Sequence, residues 1–160
     1  MKITFVQTGG TIDKDYPKGK TNHGYEFKIT DSAFYPILKK VKPAFEYEVI
    51  SVLKKDSLDI TNEDREIIYS AIESIKNDKI VISHGTDTIH LTAEKLSKIS
   101  GKTIVLTGAM LPEKFYDSDA EFNVGMAVGA SETLDNGVYI ALYGTIVPWN
   151  EFKKNSEYGV

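Results

Sequence analysis

The sequence predicts a three-layer, doubly wound α/β domain, a Rossmann- or flavodoxin-like fold in which helices cover both faces of a mainly parallel sheet. Short runs rich in Val, Ile, Tyr and Phe alternate with longer segments whose apolar residues recur at helical spacing. Strands that are separated by helices pair in parallel and need helices on both faces. The length of 160 residues and the hydrophobic content of 41% suit a core of this kind, so we expect residues 1–160 to form a single domain.

Five short segments are predicted to form strands because they are rich in β-branched and aromatic residues. They are Lys2–Gln7, Glu46–Val52, Lys79–Ser83, Thr103–Thr107 and Val138–Leu142. Glycines, hydroxyls or carboxylates closely follow the first four of these strands. Because open α/β sheets bind ligands beyond the carboxyl ends of their strands, we expect the functional site at that edge of the sheet.

Helices are predicted between the strands, over residues 31–41, 64–75, 88–99 and 119–134. In the second of these segments apolar residues recur at i, i+3, i+4 and i+7, and Thr61 with Asp64 predicts a capping box at its start. Pro36 must begin or kink the first segment.

The last predicted helix, Asp119–Leu134, has one apolar face in the sequence. Its members are Phe122, Met126, Ala130 and Thr133. The Asn-Gly pair at 136–137 is expected to end the helix in a left-handed conformation.

Composition and charge exclude several classes of function. Without cysteine the chain has no disulfide, thiol nucleophile or zinc–thiolate site, and its three histidines lack metal-ligand spacing, so no cofactor is expected. The net charge of −4 and the pI near 5.4 argue against a nucleic-acid partner. No apolar run is long enough to span a membrane, and the run after Met1 stops at Gln7, so we expect a cytoplasmic protein without a membrane partner.

The stretch that organises the chain is residues 80–88, IVISHGTDT. A buried strand runs into a glycine turn, which places Thr86, Asp87 and Thr88 where a helix begins and where unpaired backbone N–H groups favour ligands. A simpler interpretation is that Asp87 or Thr86 only caps the helix. His84 is a candidate base for a hydroxyl nucleophile, but its place before the turn predicts a position deep in the strand.

The loop after the first strand, residues 7–12 (QTGGTI), makes Thr11 a candidate nucleophile. Two glycines allow a tight bend that displays the Thr11 hydroxyl at the carboxyl edge of the sheet. A phosphate-binding loop is the rival interpretation, but the lysine expected after the second glycine is missing. The polar stretch 13–25 suits a lid that would carry the hydroxyl of Tyr16 or Tyr25 into the site, unless these tyrosines only pack the loop.

Three motifs of the chain together carry a resemblance: TGGTI at 8–12, HGTDT at 84–88 and TGAM at 107–110. In this order and spacing they resemble the bacterial-type L-asparaginase/glutaminase family. Further matches are Asp56-Ser57, Ser118-Asp119, Phe122-Asn123 and Gly144-Thr145. The likeness covers essentially the whole chain as the family's N-terminal domain, and it implies that the family's C-terminal domain is absent.

The resemblance implies a set of reactive residues. Thr11 would attack the side-chain amide carbon of asparagine or glutamine to give an acyl-enzyme and ammonia, and Tyr25 would close over it. Thr86, Asp87 and Lys154 would form the family's second reactive group. In that group the lysine keeps a hydroxyl in its reactive state, Thr86 helps to stabilise the oxyanion, and Asp87 binds the substrate ammonium.

The resemblance also implies a set of substrate-binding residues. They are Gly10, Asp56, Ser57 and Ala109, and Ser57 would contact the substrate carboxylate. Leu58 stands where the family usually has a polar side chain, so the substrate need not be asparagine.

The sequence departs from the family in its length. Full-length members carry a second domain, and a neighbouring subunit lends an acid to the substrate ammonium. An acid of the loop 113–121 would have to replace that group, or substrate binding would be weak. A surface that the second domain normally covers predicts a homodimer or a larger homo-oligomer.

The sequence therefore predicts an amidohydrolase that hydrolyses the side-chain amide of L-asparagine or a related small amide through a threonine nucleophile. The alternative is a non-catalytic amino-acid-binding or regulatory module that retains the pocket. A flavodoxin-like nucleotide-binding domain is a third hypothesis, which the missing phosphate fingerprint weakens.

Overall fold

The computed structural model describes residues 1–15 and 27–153, and a six-stranded sheet forms its centre. The strands are β1 Lys2–Gly9, β2 Lys14–Asp15, β3 Lys28–Ile29, β4 Glu46–Lys55, β5 Lys79–Ser83, β6 Thr103–Thr107, β7 Gly137–Leu142 and β8 Thr145–Pro148. The helices are α1 Phe34–Val41, α2 Asn62–Ser74, α3 Ile89–Leu96 and α4 Ala120–Thr133. Tyr16, Tyr25 and Lys154, three of the residues singled out in the sequence, lie outside the described residues.

The strand order of the main sheet is β4-β1-β5-β6-β7-β8, while β2 and β3 form a separate antiparallel pair. The first five strands of the main sheet are parallel, and β8 runs antiparallel to β7. The parallel strands have the flavodoxin-like order, whose ligand site lies where the order reverses, here between β1 and β5. The predicted α/β fold class is confirmed, and the reversal lies between the strands that lead to Thr11 and Thr86.

Helices cover both faces of the sheet, because successive side chains of a strand point to opposite sides. Phe5 of β1 belongs to the core beneath α1 and α4, where its ring lies 4.9 Å from that of Phe34. The next residue, Val6, belongs to the core beneath α2 and α3, together with Ile68 and Ile89. These two cores fix the positions of the strand ends.

The helix α2 begins with the predicted capping box. The Thr61 hydroxyl accepts from the Asp64 N–H at 3.2 Å, and the Asp64 carboxylate accepts from the Thr61 N–H at 2.9 Å. The helix starts at Asn62, two residues earlier than predicted, since the cap rather than the first apolar residue sets its beginning.

The other helices differ from their predicted bounds at the ends. Helix α1 begins at Phe34 instead of Asp31. The Ser32 hydroxyl accepts a hydrogen bond from the Phe34 N–H just before the helix, and Pro36 lies in the first turn. Helix α3 begins after Thr88 and ends at Leu96 instead of Ile99.

The predicted apolar face of α4 is wrong in two of its four members, whereas Ala130 is buried and Met126 packs against the core. Phe122 is 63% exposed and Thr133 is also exposed, whereas the buried face contains Asn123, Ala127 and Ala130. Small side chains on this face let the helix lie close to the sheet. Small size, rather than hydrophobicity, therefore determines which side of α4 is buried. The expected left-handed stop at 136–137 is also wrong, because Gly137 is the first residue of β7.

Strand β8 was not predicted from the sequence. It follows β7 after the two-residue turn Tyr143-Gly144, in which both residues have positive φ, 53° and 78°. Two positive φ angles define the type I′ turn that joins antiparallel strands. The usual sequence of that turn is Asn-Gly or Asp-Gly. Because this chain has Tyr-Gly instead, the sequence does not predict the turn.

Candidate active site

The turn that follows β1 packs directly against the turn that follows β5. Gly10 has a φ of 90°, and its N–H donates to the Lys55 carbonyl at 3.0 Å. A Cβ atom at Gly10 would lie 2.4 Å from the backbone nitrogen of Gly85. The backbones of the two turns are therefore in van der Waals contact. Thr11, the next residue, is half-buried and begins a 3-10 turn at this contact.

Two further glycines join the neighbouring strand ends to the same cluster. A Cβ atom at Gly85 would lie 2.6 Å from the Ser57 side chain, and one at Gly108 would lie 2.4 Å from the His84 carbonyl oxygen. The loops after β1, β4, β5 and β6 therefore interlock at one edge, where four polar loops were predicted to meet.

Thr86 and Asp87 are half-buried in the loop between β5 and α3. The N-cap of α3 is Thr88, and the Thr88 hydroxyl donates to the Ser57 carbonyl at 2.7 Å instead of capping the helix. The structure thus places the N-cap of α3 at Thr88 rather than at Thr86 or Asp87. Thr88 ties the HGTDT turn to the loop after β4.

Tyr143 is a member of this site that the sequence did not suggest. Its hydroxyl donates to the Met110 sulfur at 3.1 Å, and the Thr86 side chain lies close enough to lower the Tyr143 pKa through hydrogen bonding. Burial has the larger effect and, helped by the negative charges of Asp119 and Asp87, raises the pKa of Tyr143 to about 12. The side chain is thus a neutral phenol at physiological pH.

Asp56 and Ser57 follow β4, as predicted. Lys14 donates to the Asp56 carboxylate at 2.7 Å, and this hydrogen bond is the main cause that lowers the Asp56 pKa. The same carboxylate accepts from the Leu58 N–H at 3.3 Å. Ser57 is 1% exposed, whereas Leu58 is 73% exposed, so the residue that departs from the family pattern is the one that faces outward.

The TGAM turn is held by two polar side chains of the following loop and helix. The Asp119 carboxylate accepts from the N–H groups of Met110 and Leu111, at 3.0 and 3.1 Å. The Asn123 amide donates to the Gly108 carbonyl at 3.0 Å and to Asp119 at 2.8 Å. Ala109 is buried within this clamped turn, which leaves it little freedom to move.

His84 lies in the protein interior with both ring nitrogens engaged. One nitrogen lies 2.8 Å from the Gly85 carbonyl and the other 2.8 Å from the Thr92 hydroxyl. Burial lowers the pKa of His84 to about 4, so the ring is neutral at physiological pH. Its enclosure beneath the turn suits a structural role, in agreement with its predicted depth.

Asp13 is a second functional candidate that the sequence did not suggest. Its carboxylate accepts from the Ala33 N–H at 2.7 Å and from the Ser83 hydroxyl at 3.0 Å, so it joins the Thr11 turn to α1 and β5. Desolvation raises the Asp13 pKa to about 6, although the hydrogen bonds oppose this shift. A single aspartate after TGGTI carries no spacing signal, so the sequence could not distinguish it from a surface residue.

The acids of the loop 113–121 mostly have other partners. Glu113 lies 3.8 Å from the Lys114 ammonium, and Glu121 forms an ion pair with Lys40 at 2.8 Å. Asp119 accepts backbone N–H groups, although its charge also reaches Tyr143. Asp119 thus lies at the TGAM turn, while the backbone N–H of Glu113 donates to the Ile12 carbonyl at 3.1 Å, next to Thr11.

Within residues 1–15 and 27–153, no group of three or more His, Asp or Glu side chains is arranged to hold a metal ion. The same part of the chain contains no helix that is both long and apolar enough to cross a membrane.

Comparison with known proteins identifies the family of the chain. The family model for the asparaginase N-terminal domain matches residues 2–160. An L-asparaginase of Thermococcus kodakarensis is 31% identical over an alignment of 153 positions, which covers 92% of this chain and 45% of the relative. One subunit of the glutamyl-tRNA(Gln) amidotransferase of Methanococcus maripaludis is 30% identical over an alignment of 165 positions, which covers 89% of this chain and 35% of the relative.

The fold agrees with a solved structure of the same family. The thermostable L-asparaginase of Thermococcus kodakarensis superposes with a TM-score of 0.77 and 29% identity, covering 93% of this chain and 46% of that one. The chain thus spans less than half the length of the relatives it matches. With the family model matched over nearly its whole length, the chain belongs to the asparaginase family, in the part that forms the family's N-terminal domain.

Proposed function

We propose that this chain is an asparaginase-like amidohydrolase that releases ammonia from the side-chain amide of L-asparagine or a related small amide. The observation that supports the proposal best is the contact between the two threonine-bearing turns, where Gly10 meets Gly85. That contact holds Thr11 and the Thr86-Asp87 pair on neighbouring turns at the point where ligands bind in this fold.

In the proposed reaction the Thr11 oxygen forms a bond to the amide carbon, the C–N bond breaks, and the hydroxyl proton leaves with ammonia. Water then hydrolyses the ester and restores Thr11. Thr86 and neighbouring N–H groups would stabilise the oxyanion, and Asp87 would match the substrate ammonium. By resemblance, Lys154 would keep a hydroxyl reactive and Tyr25 would close the site.

The proposed substrate-binding residues are Gly10, Asp56, Ser57 and Ala109. Gly10 and Ala109 would supply backbone groups, since both lie in turns fixed by packing or by hydrogen bonds. Asp56 already holds Lys14, so a substrate would meet this ion pair rather than an isolated carboxylate. No cofactor enters the proposed reaction, and a cytoplasmic location remains a prediction.

A second candidate function is amino-acid binding without turnover, in a regulatory or partner-dependent module. One observation favours it: one of the relatives is by name a subunit of an amidotransferase. Under this hypothesis the pocket recognises an amino acid, and the chemistry depends on a further protein segment.

Ammonia release from L-asparagine and L-glutamine, measured beside calorimetric binding of the same amino acids, separates these functions. We expect the purified protein to release ammonia from at least one of the two. Binding without ammonia release at high enzyme and substrate concentrations would instead identify the binding module. If the protein shows no binding and no ammonia release, both proposals are contradicted.

A further inference from the structure

A cleft between α2 and α3 contains a buried arginine that has no anionic partner. Arg65, in the first turn of α2, is 7% exposed, and its Nε atom is buried without a hydrogen-bond acceptor. Its Nη1 atom donates to the Asn62 side-chain oxygen at 3.3 Å. Within the part of the chain that the structure describes, no carboxylate forms an ion pair with Arg65. Because a buried charge without a counter-charge is costly, an anion from outside the chain would stabilise this arrangement.

The cleft beside Arg65 has a volume of about 340 Å³ and is lined by both helices. Binding sites for small molecules have volumes of this order. The residues of α3 that line it recur at i, i+3, i+4 and i+7, so they share one face of that helix. They are Leu91, Glu94, Lys95 and Lys98.

The charges that line the cleft leave an excess of cations. Lys95 forms an ion pair with Glu66, so these two charges compensate each other. The cleft still contains the cations of Arg65 and Lys98 against the single carboxylate of Glu94. It is therefore locally positive in a chain whose net charge is −4, and such a local excess attracts anions.

We propose that this cleft is a binding site for a small phosphate-type oxyanion, which Arg65 holds and the two lysines help to attract. The outer nitrogens of a guanidinium form a planar fork that matches two oxygens of such an anion, and Asn62 takes up only one of their N–H groups. A phosphate group carries more negative charge than a carboxylate and has a further oxygen for Lys95 or Lys98. Inorganic phosphate and the phosphate group of a small molecule share this chemistry.

The two helices that form the cleft also follow loops of the candidate active site. Helix α3 follows the HGTDT turn and α2 follows the loop of Ser57. The Thr88 hydroxyl at the start of α3 donates to the Ser57 carbonyl at 2.7 Å, so the two loops are already joined. An anion held between α2 and α3 would stabilise the same pair of elements from the other end. Its binding is measured without turnover, so this inference stands apart from the proposed function.

Calorimetric titration with inorganic phosphate, at an ionic strength held constant with sodium chloride, tests the site. The parent is expected to bind phosphate saturably. Arg65→Met removes the charge and keeps an unbranched side chain, so it should weaken binding about tenfold or more, as for the loss of a charge-assisted hydrogen bond. Lys98→Gln changes an exposed position and should weaken binding about threefold.

Lys39→Gln is the matched control for Lys98→Gln. Lys39 is also exposed and loses the same charge, but it lies on α1, on the opposite face of the sheet. Its affinity for phosphate should equal that of the parent. Phosphate should also raise the unfolding midpoint of the parent more than that of Arg65→Met, because a ligand that binds the folded state stabilises it.

The absence of saturable phosphate binding by the parent at millimolar concentrations would overturn the inference, and so would parental affinity in Arg65→Met. If Arg65→Met does not fold, the two lysine variants decide the question. Equal affinities of Lys98→Gln and Lys39→Gln would show that phosphate does not bind in this cleft.

Discussion

Asp13 directly follows the TGGTI motif and has a structural role at the candidate site. Its carboxylate is 2% exposed and accepts from Ala33 and Ser83, so it fixes the turn that carries Thr11. Gln7 and the charge of Lys54 in β4 lower the pKa of Asp13 further, with smaller effects. These partners compensate only part of the cost of burying a charge, which is why its pKa is raised to about 6.

A raised carboxylate pKa predicts a specific pH dependence of stability. The folded protein binds the Asp13 proton more tightly than the unfolded chain, where the pKa is 3.8, so this group stabilises the fold as pH falls through 6. Between pH 7.5 and pH 5 the contribution is about 1.4 kcal/mol of unfolding free energy. Urea unfolding of the parent and of Asp13→Asn, whose amide oxygen can accept from Ala33 and whose amide nitrogen can donate to the Ser83 hydroxyl, measures it.

The comparison with Asp13→Asn is needed because His84 acts in the opposite sense. The His84 pKa is lowered to about 4, so the unfolded chain takes up its proton first and the fold loses stability as pH falls below 6.5. His84 is common to both proteins and cancels in their difference. An equal pH dependence in parent and variant would show that Asp13 does not titrate as described.

The sequence indicates Thr11, Thr86 and Asp87 as candidate site residues because they lie in motifs with fixed spacing. It missed Asp13 and Tyr143, since their roles come from contacts between distant segments: Asp13 reaches Ser83, and Tyr143 reaches Met110. No local pattern encodes such a contact. Ser57 is likewise buried because Gly85, from a distant segment, packs against it.

At the level of elements, glycines at the strand ends determine how closely the functional loops approach. Gly10 combines a positive φ with a backbone neighbour at 2.4 Å from its absent Cβ, so no side chain fits without moving the chain. Helix α4 offers the contrast. Gly129 is exposed on that helix, and nothing lies within 4 Å of the position of its absent Cβ.

Alanine substitution at these two glycines is expected to have opposite effects. Gly10→Ala should lower the unfolding free energy by about 2–5 kcal/mol through strain and overpacking. Gly129→Ala should raise it by about 0.5–1 kcal/mol, because alanine loses less conformational entropy in a helix. Denaturant unfolding of both variants measures the pair. Equal stability of Gly10→Ala and the parent would contradict the described contact of the turns.

The elements themselves were largely predictable, with errors that have physical causes. All five predicted strands are present, because buried parallel strands are nearly continuous runs of β-branched residues. Strand β8 was missed because Tyr-Gly replaces the usual signal of its turn. The buried face of α4 was misassigned because Ala120 and Ala127 pack closely, and Phe122 is left outside.

On the scale of the whole molecule, one apolar surface lies between α4 and β8. Phe122 is 63% exposed and Ile146 is 42% exposed, and Met126 and Pro148 line a groove between them. Strand β8 is also the edge of the described sheet, and edge strands favour association. This surface lies on the face of the sheet opposite to α3.

The predicted homo-oligomer can be tested through this surface. We expect sedimentation velocity to detect a dimer or a larger species at high protein concentration, and Phe122→Glu to shift the protein toward monomer by placing a charge in the apolar contact. Leu91→Glu, at an exposed position on α3, should leave the association unchanged. A parent that remains monomeric at all concentrations would contradict the prediction.

The central claim is that Thr11 and Thr86 act together in one amide-hydrolysing site, and ammonia release by threonine variants tests it most directly. Thr11→Ala should lose about 10³-fold or more of the parental rate, and Thr86→Val about 10²-fold, as expected for a nucleophile and an oxyanion-stabilising group. Thr133→Val is the control, because this threonine is exposed on α4 and donates to the Gly129 carbonyl. It should keep the parental rate. Ammonia release by Thr11→Ala at the parental rate would contradict the account.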